Sequence, residues 1–205
     1  MQMLLEIAMV KTIRQQIVDA AQDRFNALGY SGCGIQEIAD SAGVPKSNFY
    51  NYFKSKERLA LEVLEGYVAS SKREILSDPA LSPLARIEAH FGFFISRYEK
   101  NGFDRGCLIG NLSAESSDSV PLLRAALKDA LASWTDLLAK VIEEGQTRNE
   151  IKRGMNPVEM ARFLINSWEG TVLRMKLTRD RRPLDDFMSI SMGLLDNRTP
   201  PNIPA

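Results

Sequence analysis

Apolar residues recur with a helical period along nearly the whole chain. Ile13, Ile17, Ala21 and Phe25 stand four apart, with Ala20 and Leu28 beside them. That spacing predicts one buried face of a helix. Thr12, with Gln15 three residues on, reads as a capping box at its start, and Gly29 as its stop. A short second helix is predicted from about Ile35 to Ser41, ended by Gly43, with Gly34 where a capping side chain belongs. A third covers Pro45 to about Phe53, because a proline loses nothing in a first helical turn. A long helix follows from about Lys56 to Leu76, stopped at Asp78-Pro79.

Beyond Pro79 the apolar faces become bulkier. Leu84, Ile87, Phe91, Phe94, Ile95 and Tyr98 share one side of a helix predicted over 83–100. Asn101-Gly102 and Gly106 mark a loop. A helix then runs from near Cys107 to about Ser116. Another runs from Pro121 to Glu144, with Leu123, Leu127, Leu131, Trp134, Leu138 and Val141 inward. After a turn region at 145–156, helices are predicted over about 157–177 and 183–195. The closing TPPNIPA reads as a loose tail. No segment sustains the period-two alternation of a strand, and no internal repeat occurs. The fold class is all-α. An N-terminal three-helix module of helix-turn-helix type precedes a C-terminal helical bundle, about nine helices in all. The expected domains are 10–55, 56–196 and a tail at 197–205.

Composition narrows the function. The 205 residues are 44% hydrophobic and carry 26 basic and 26 acidic side chains. That is enough apolar material for a core, and it excludes a disordered tail or a chain coating nucleic acid by bulk charge. No run approaches the roughly 18 apolar residues of a membrane span. The opening MQMLLEIAM carries Glu6 and lacks a basic start, so it makes a poor signal peptide, and Met9 is an alternative start. Two distant cysteines, Cys33 and Cys107, suit a reducing cytoplasm better than a disulfide scaffold. With one histidine, His90, they cannot build a cysteine- or histidine-rich metal site, and no cofactor is expected.

The segment IQEIADSAGVPKSNFYNYF, residues 35–53, is the most informative. Ala39, Gly43 and Phe49 have helix-turn-helix spacing. A small residue permits the crossing, a glycine permits the turn, and Phe49 locks the angle with Ile38 and Val44. Lys46, Ser47, Asn48, Tyr50, Asn51 and Tyr52 are left for exposed faces, where such side chains reach phosphates and base edges. Between Val44 and Arg58 the net charge is +3 within a neutral chain. A local patch is the footprint of a sequence-specific reader. The plainer alternative is an ordinary three-helix packing with a polar face.

With TIRQQIVDAAQDRFNALGY and KSKERL around it, this segment resembles the tetracycline-repressor family of bacterial regulators. The likeness covers the first sixty or so residues by motif and the rest by helix plan and length. It implies a cytoplasmic, all-helical homodimer that binds a palindromic double-stranded DNA operator and a small-molecule inducer. Lys46, Ser47, Asn48 and Asn51 would then lie at or near base edges. Tyr50, Tyr52 and Lys56 would hold phosphates, and Gln36 would reach DNA from the preceding helix. Gly34 departs from the family's usual Thr or Ser, which removes one phosphate contact. The family's dimer is commonly a four-helix bundle of the last two helices. Ala161, Leu164, Ile165, Trp168 and Val172 form an apolar face on one, and Leu184, Phe187, Met188, Ile190, Ser191, Leu194 and Leu195 an interfacial or buried face on the other; the plainer alternative is an ordinary monomer core.

Cys107 follows Arg105 and Gly106 at a helix start. A helix N-terminus and a cation both favour a nucleophilic thiolate, although a free cysteine also serves as a small buried residue. The run GCLIGNLSAE resembles the branch of the family that senses N-ethylmaleimide, other electrophiles and reactive chlorine. The resemblance makes Cys107 the sensor and Lys176 the partner of its oxidised form, with Arg174 and Arg179 offering similar charge. Non-covalent sensing needs a pocket, for which Phe91, Phe94, Ile95, Leu112, Trp134 and Trp168 are the candidates. An enzyme built on Cys107 and His90 lacks an orienting carboxylate, a phosphate loop and a dinucleotide fingerprint. A protein-interaction module would not show salt-dependent binding to palindromic DNA. The expected mechanism is two-state: a change in the bundle shifts the connector helix, about Lys56–Leu76, and re-spaces the paired recognition helices.

Overall fold

The computed structural model describes residues 11–115 and 119–197. The alternative start, the helix end at Ser116 and all but the first residue of the tail lie outside them. Nine α-helices occur among the described residues: α1 (Ile13–Leu28), α2 (Ile35–Ser41), α3 (Lys46–Tyr52), α4 (Lys56–Ala69), α5 (Pro83–Lys100), α6 (Leu108–Glu115), α7 (Pro121–Thr147), α8 (Pro157–Thr178) and α9 (Arg182–Leu195). A 3-10 turn occupies Arg73–Ser77. The β pairing among the described residues is an isolated bridge, Ile151 with Asp196. The chain forms two compact units. Among the described residues, one lies within Met1–Tyr67 and Asn111–Leu127, the other within Val68–Gly110 and Lys128–Ala205.

In the first unit, α1 starts where Thr12 Oγ1 accepts the Gln15 backbone N–H at 3.2 Å. The Gln15 amide turns on to Asp19 (2.8 Å), so only half of the expected capping box forms. Gly29, at φ +78°, ends the helix. Ile17, Ala21 and Phe25 are fully buried, while Ile13 and Leu28 at the ends are exposed. Helix α2 packs against α1 and α3. Ile38, Ala39 and Phe49 have no solvent exposure, and Val44 and Phe53 are also buried. Gly43 takes φ +68°, as the tight turn between α2 and α3 requires. Pro45 stands just before α3 as its cap, one position earlier than a first helical residue.

The predicted helix to Leu76 ends early. Ser71 Oγ donates to the Val68 carbonyl at 2.6 Å, a local bond that competes with the helical ladder. Lys72 is left-handed (φ +52°), which a right-handed helix cannot pass through. The chain resumes as the 3-10 turn.

In the second unit, Ser82 and Pro83 open α5, which buries Leu84, Ile87, Phe91, Phe94, Ile95 and Tyr98. The buried Arg86 donates to the carbonyls of Asp78 (2.6 Å) and Leu81 (3.0 Å) and pairs with Glu144 at 2.8 Å. It thereby fixes the loop before α5. Asn156 Oδ1 caps α8 by accepting from Val158 and Glu159. Helix α8 packs on α9, and α9 on α5.

Of the two readings open for these helices, an interfacial face or the chain's own core, the buried one describes most of the named residues. Ala161, Leu164, Ile165, Trp168, Val172, Leu184, Phe187, Ser191 and Leu195 are buried within the chain itself. Of the expected interfacial set, Met188 and Leu194 are half-buried and Ile190 is exposed. The apolar surface left open on α8 is a different stripe, rotated from the first: Phe163 (52% exposed), Leu173 (68%) and Leu177 (84%). Helix α8 is apolar on two sides, and the side that carries Trp168 is the one taken into the core.

Phe49→Ala removes the ring at the centre of the α2–α3 packing and should cost about 3–5 kcal/mol. Chemical denaturation checks this; a loss below about 1 kcal/mol would mean the ring does not hold the two helices.

Candidate nucleic-acid interface and bundle site

Helix α3 divides into four stripes of side chains four residues apart. Phe49 and Phe53 form the buried stripe, their rings 5.7 Å apart. Ser47 and Asn51 lie opposite and are exposed. Lys46 and Tyr50 flank them on one side, Asn48 and Tyr52 on the other. Tyr50 and Tyr52 are 56% and 42% exposed, high values for aromatic side chains, and Asn48 is half-buried. Gln36 is exposed on α2, its amide donating to Asp40 at 2.7 Å. Seven of the eight candidate DNA residues therefore present side chains at the surface of one module.

Lys56 differs. Its ammonium donates to the carbonyls of Tyr30 (2.9 Å) and Cys33 (3.0 Å) and lies 4.2 Å from the centre of the Tyr30 ring. It ties the loop between α1 and α2 to the start of α4. The neighbouring Glu57 is also engaged, its Oε1 accepting from Leu122 (2.9 Å) and Leu123 (3.2 Å) at the N-terminus of α7. In the same unit, the Glu115 carboxylate accepts the Ser31 N–H at 2.7 Å. It lies where a side chain at Gly29 would stand, with Oε1 only 1.7 Å from the position of an added Cβ.

In the bundle, Phe91, Phe94, Trp134 and Trp168 come together. Phe91 and Trp168 are centred 5.0 Å apart, and Phe94 and Trp134 5.9 Å. Ile95 is buried on the same helix. Leu112 is fully buried too, but belongs to the first unit. Tyr98, Phe187 and His90 complete the cluster, which the sequence reading had not joined to it. Trp134 Nε1–H donates to His90 Nε2 at 2.9 Å, so the imidazole proton sits on Nδ1. Burial, reinforced by the Arg73 charge, lowers the His90 pKa to about 4 and keeps it neutral. Trp168 Nε1 is buried with no hydrogen-bond partner among the described residues.

Cys107 lies immediately before α6 and is buried, at 4% exposure. Arg105, expected to stabilise its thiolate, has Asp104 beside it at 3.5 Å. The side chain that hydrogen-bonds the thiol is an acid, Glu169 of α8. Burial pushes the Glu169 carboxyl up to about 7, and the bond to Cys107 opposes that only in part. Lys176 lies two turns further along α8, about 10.5 Å by helical rise. Glu169 was missed because an acid between Trp168 and Gly170 reads as a solvated helix position. Its burial depends on Gly110, far away in sequence: a Cβ there would stand 2.1 Å from Glu169 Oε2.

Helices α8 and α9 also bound an open groove of about 470 Å³, lined by Phe163, Gly170, Arg174, Asp186 and Ile190 among others. No helix among the described residues is long and apolar enough to cross a membrane. Among the same residues, no group of histidine, cysteine and acidic side chains is placed to hold a metal.

Comparison with known proteins accounts for most of the chain. Residues 17–63 match the tetR family of bacterial regulatory proteins, and 83–190 the tetracyclin repressor-like C-terminal domain. The HTH-type transcriptional repressor DhaR of Mycobacterium sp. strain GP1 is 38% identical over 181 residues, 87% of this chain and 89% of DhaR. The crystal structure of regulatory protein TetR from Rhodobacter sphaeroides superposes with a TM-score of 0.83 at 31% identity, covering 90% of this chain and all of that one. The Escherichia coli K12 repressor NemR is 29% identical over 164 residues, 78% of this chain and 82% of NemR. Its reduced form superposes with a TM-score of 0.79 at 26% identity, covering 92% of this chain and 99% of that one.

The native fold holds the Glu169 proton more tightly than the unfolded chain, so this group's contribution to stability falls as pH rises from about 4.5 to 7. Glu169→Gln should therefore gain on the wild type over that window, by about 2–3 kcal/mol at its upper end. Denaturation at several pH values measures it; parallel pH dependences in the two proteins would contradict the buried carboxyl.

Proposed function

The chain belongs to the tetracycline-repressor family and is a transcriptional repressor of that family; from this premise we propose that it binds a palindromic operator as a homodimer and leaves it when a small molecule or electrophile acts in the C-terminal bundle. The observation that carries the DNA half is the stripe geometry of α3. Burying Phe49 and Phe53 turns Ser47 and Asn51 to the middle of the exposed face. In a major groove they meet base edges, while Lys46, Tyr50 and Tyr52 on the flanks and Gln36 on α2 reach the walls. Asn48 lies beside them at the edge of the face. Lys56 serves the same site by fixing the α1–α2 loop, and a phosphate would compete with two carbonyls for its ammonium. Reading DNA from the cytoplasm needs nothing the fold lacks.

Dimerisation is supported by the open apolar stripe of α8 with Ile190 of α9. Four large aliphatic or aromatic side chains on two adjacent helices are what a second copy would cover. Two copies would present two α3 helices to half-sites about one DNA turn apart.

For the signal, the position supports Cys107. It heads α6 and is buried within the second unit. Modifying the thiol swells a close-packed site, which has to rearrange to admit the added group. A second reading, non-covalent capture of an apolar ligand, is favoured by the orphan Trp168 Nε1–H inside the aromatic cluster. A ligand carbonyl would satisfy that donor.

Duplexes selected from random DNA supply the operator. Asn51→Ala should then weaken binding by about 1–3 kcal/mol and relax preference at one base pair in each half-site; uniform weakening across sequences would move Asn51 to the phosphates. Cys107→Ser should bind the operator as well as the wild type but stay bound when N-ethylmaleimide or hypochlorite is added. Full release of that variant by both reagents would remove the thiol from the mechanism and leave the ligand reading.

A further inference from the structure

We propose that Glu169 is the proton acceptor for Cys107 when the thiol adds across the double bond of an α,β-unsaturated carbonyl compound, the class to which N-ethylmaleimide belongs. The inference rests on Cys107 being the sensor and names the chemistry of that site.

Two independent features point to it. The first is a prepared berth for the carboxyl. Gly110, on the first turn of α6, leaves the space in which Glu169 Oε2 lies; any side chain there would collide with it. The carboxyl is thereby held against the turn that begins at Cys107 and accepts the thiol's hydrogen bond. The second is an unspent acceptor. Glu169 Oε1 is buried and has no hydrogen-bond partner among the described residues. A buried carboxyl with an idle oxygen costs stability, so its retention calls for a use.

A carboxylate beside a thiol repels a standing thiolate, so this pair does not store a pre-formed nucleophile. It supports a coupled transfer instead. Sγ bonds to the β-carbon of the acceptor as its proton passes to Glu169. The π pair of the carbon–carbon double bond moves towards the carbonyl oxygen as an enolate. Glu169 then returns the same proton to the α-carbon. The product is a thioether and the carboxylate is regenerated, with no oxidant or reductant consumed. Among the described residues, Cys107 is the titratable group that acts on the Glu169 carboxyl, and burial sets the remainder of its shift. Near neutral pH the carboxyl is therefore divided between its two forms, able to take a proton and to give it back.

The test follows alkylation of Cys107 by acrylamide, read by peptide mass, from about pH 5 to 9, together with release of operator DNA. The wild-type rate should rise through an inflection near pH 7, where Glu169 ionises. Glu169→Gln should lose that inflection and react about 100-fold more slowly at neutral pH. Gly110→Ala keeps both reacting groups but evicts the carboxyl, and should lose the inflection too. If Glu169→Gln reacts as fast as the wild type or faster, Glu169 is only an electrostatic brake and the proposal is overturned. If Cys107→Ser is released by acrylamide like the wild type, the sensor reading itself fails, which is a separate result from the first.

Discussion

The burial of one aromatic stripe on a seven-residue helix is the constraint on which the rest depends. Helix α3 is too short to be stable alone. It exists because Phe49 and Phe53 are taken into the packing with Ile38, Ala39 and Val44. Once that stripe is fixed inward, the opposite stripe is fixed outward, so the identity of the surface residues follows from the core. Gly43 supplies the turn and Lys56 closes the neighbouring loop. The exposed face of α3 thus comes from apolar packing, and the polar residues on it are not needed to hold the helix in place.

Much of this was legible in the chain. The α1 stripe, the glycine at the turn, the small Ala39 and the inward Phe49 all follow from spacing, because each is a local demand of helical geometry. The boundaries expected for α5 and α8, 83–100 and about 157–177, fall within a residue of their observed places. What escaped was set by competition or by distance. The break at Ser71 and Lys72 depends on a hydroxyl choosing a nearby carbonyl over the helix, which a polar serine-lysine pair does not reveal. Helix α8 carries two apolar faces, and periodicity alone could not say which would be internal. Glu169 was invisible because its environment is made by Gly110, a residue on another helix.

The candidate signal site also reverses a simple expectation about cysteine chemistry. Sequence places an arginine two residues before Cys107, which suggests a stabilised thiolate. The folded chain instead gives the thiol an acidic partner and gives Arg105 an aspartate. A cation would make the sulfur reactive towards oxidants and electrophiles alike, whereas an acid near its own titration point ties reactivity to proton transfer. The same bundle holds a neutral, hydrogen-bonded His90 in its aromatic cluster, so the histidine contributes packing and not charge at neutral pH.

The central claim is that two copies of the chain, each presenting one α3, read one duplex. Analytical ultracentrifugation of the protein alone and with its selected operator tests this most directly. The account predicts a dimer in both cases, two chains per duplex, and affinity that falls steeply with salt. A monomer that binds one chain per duplex, with affinity indifferent to salt, would contradict it.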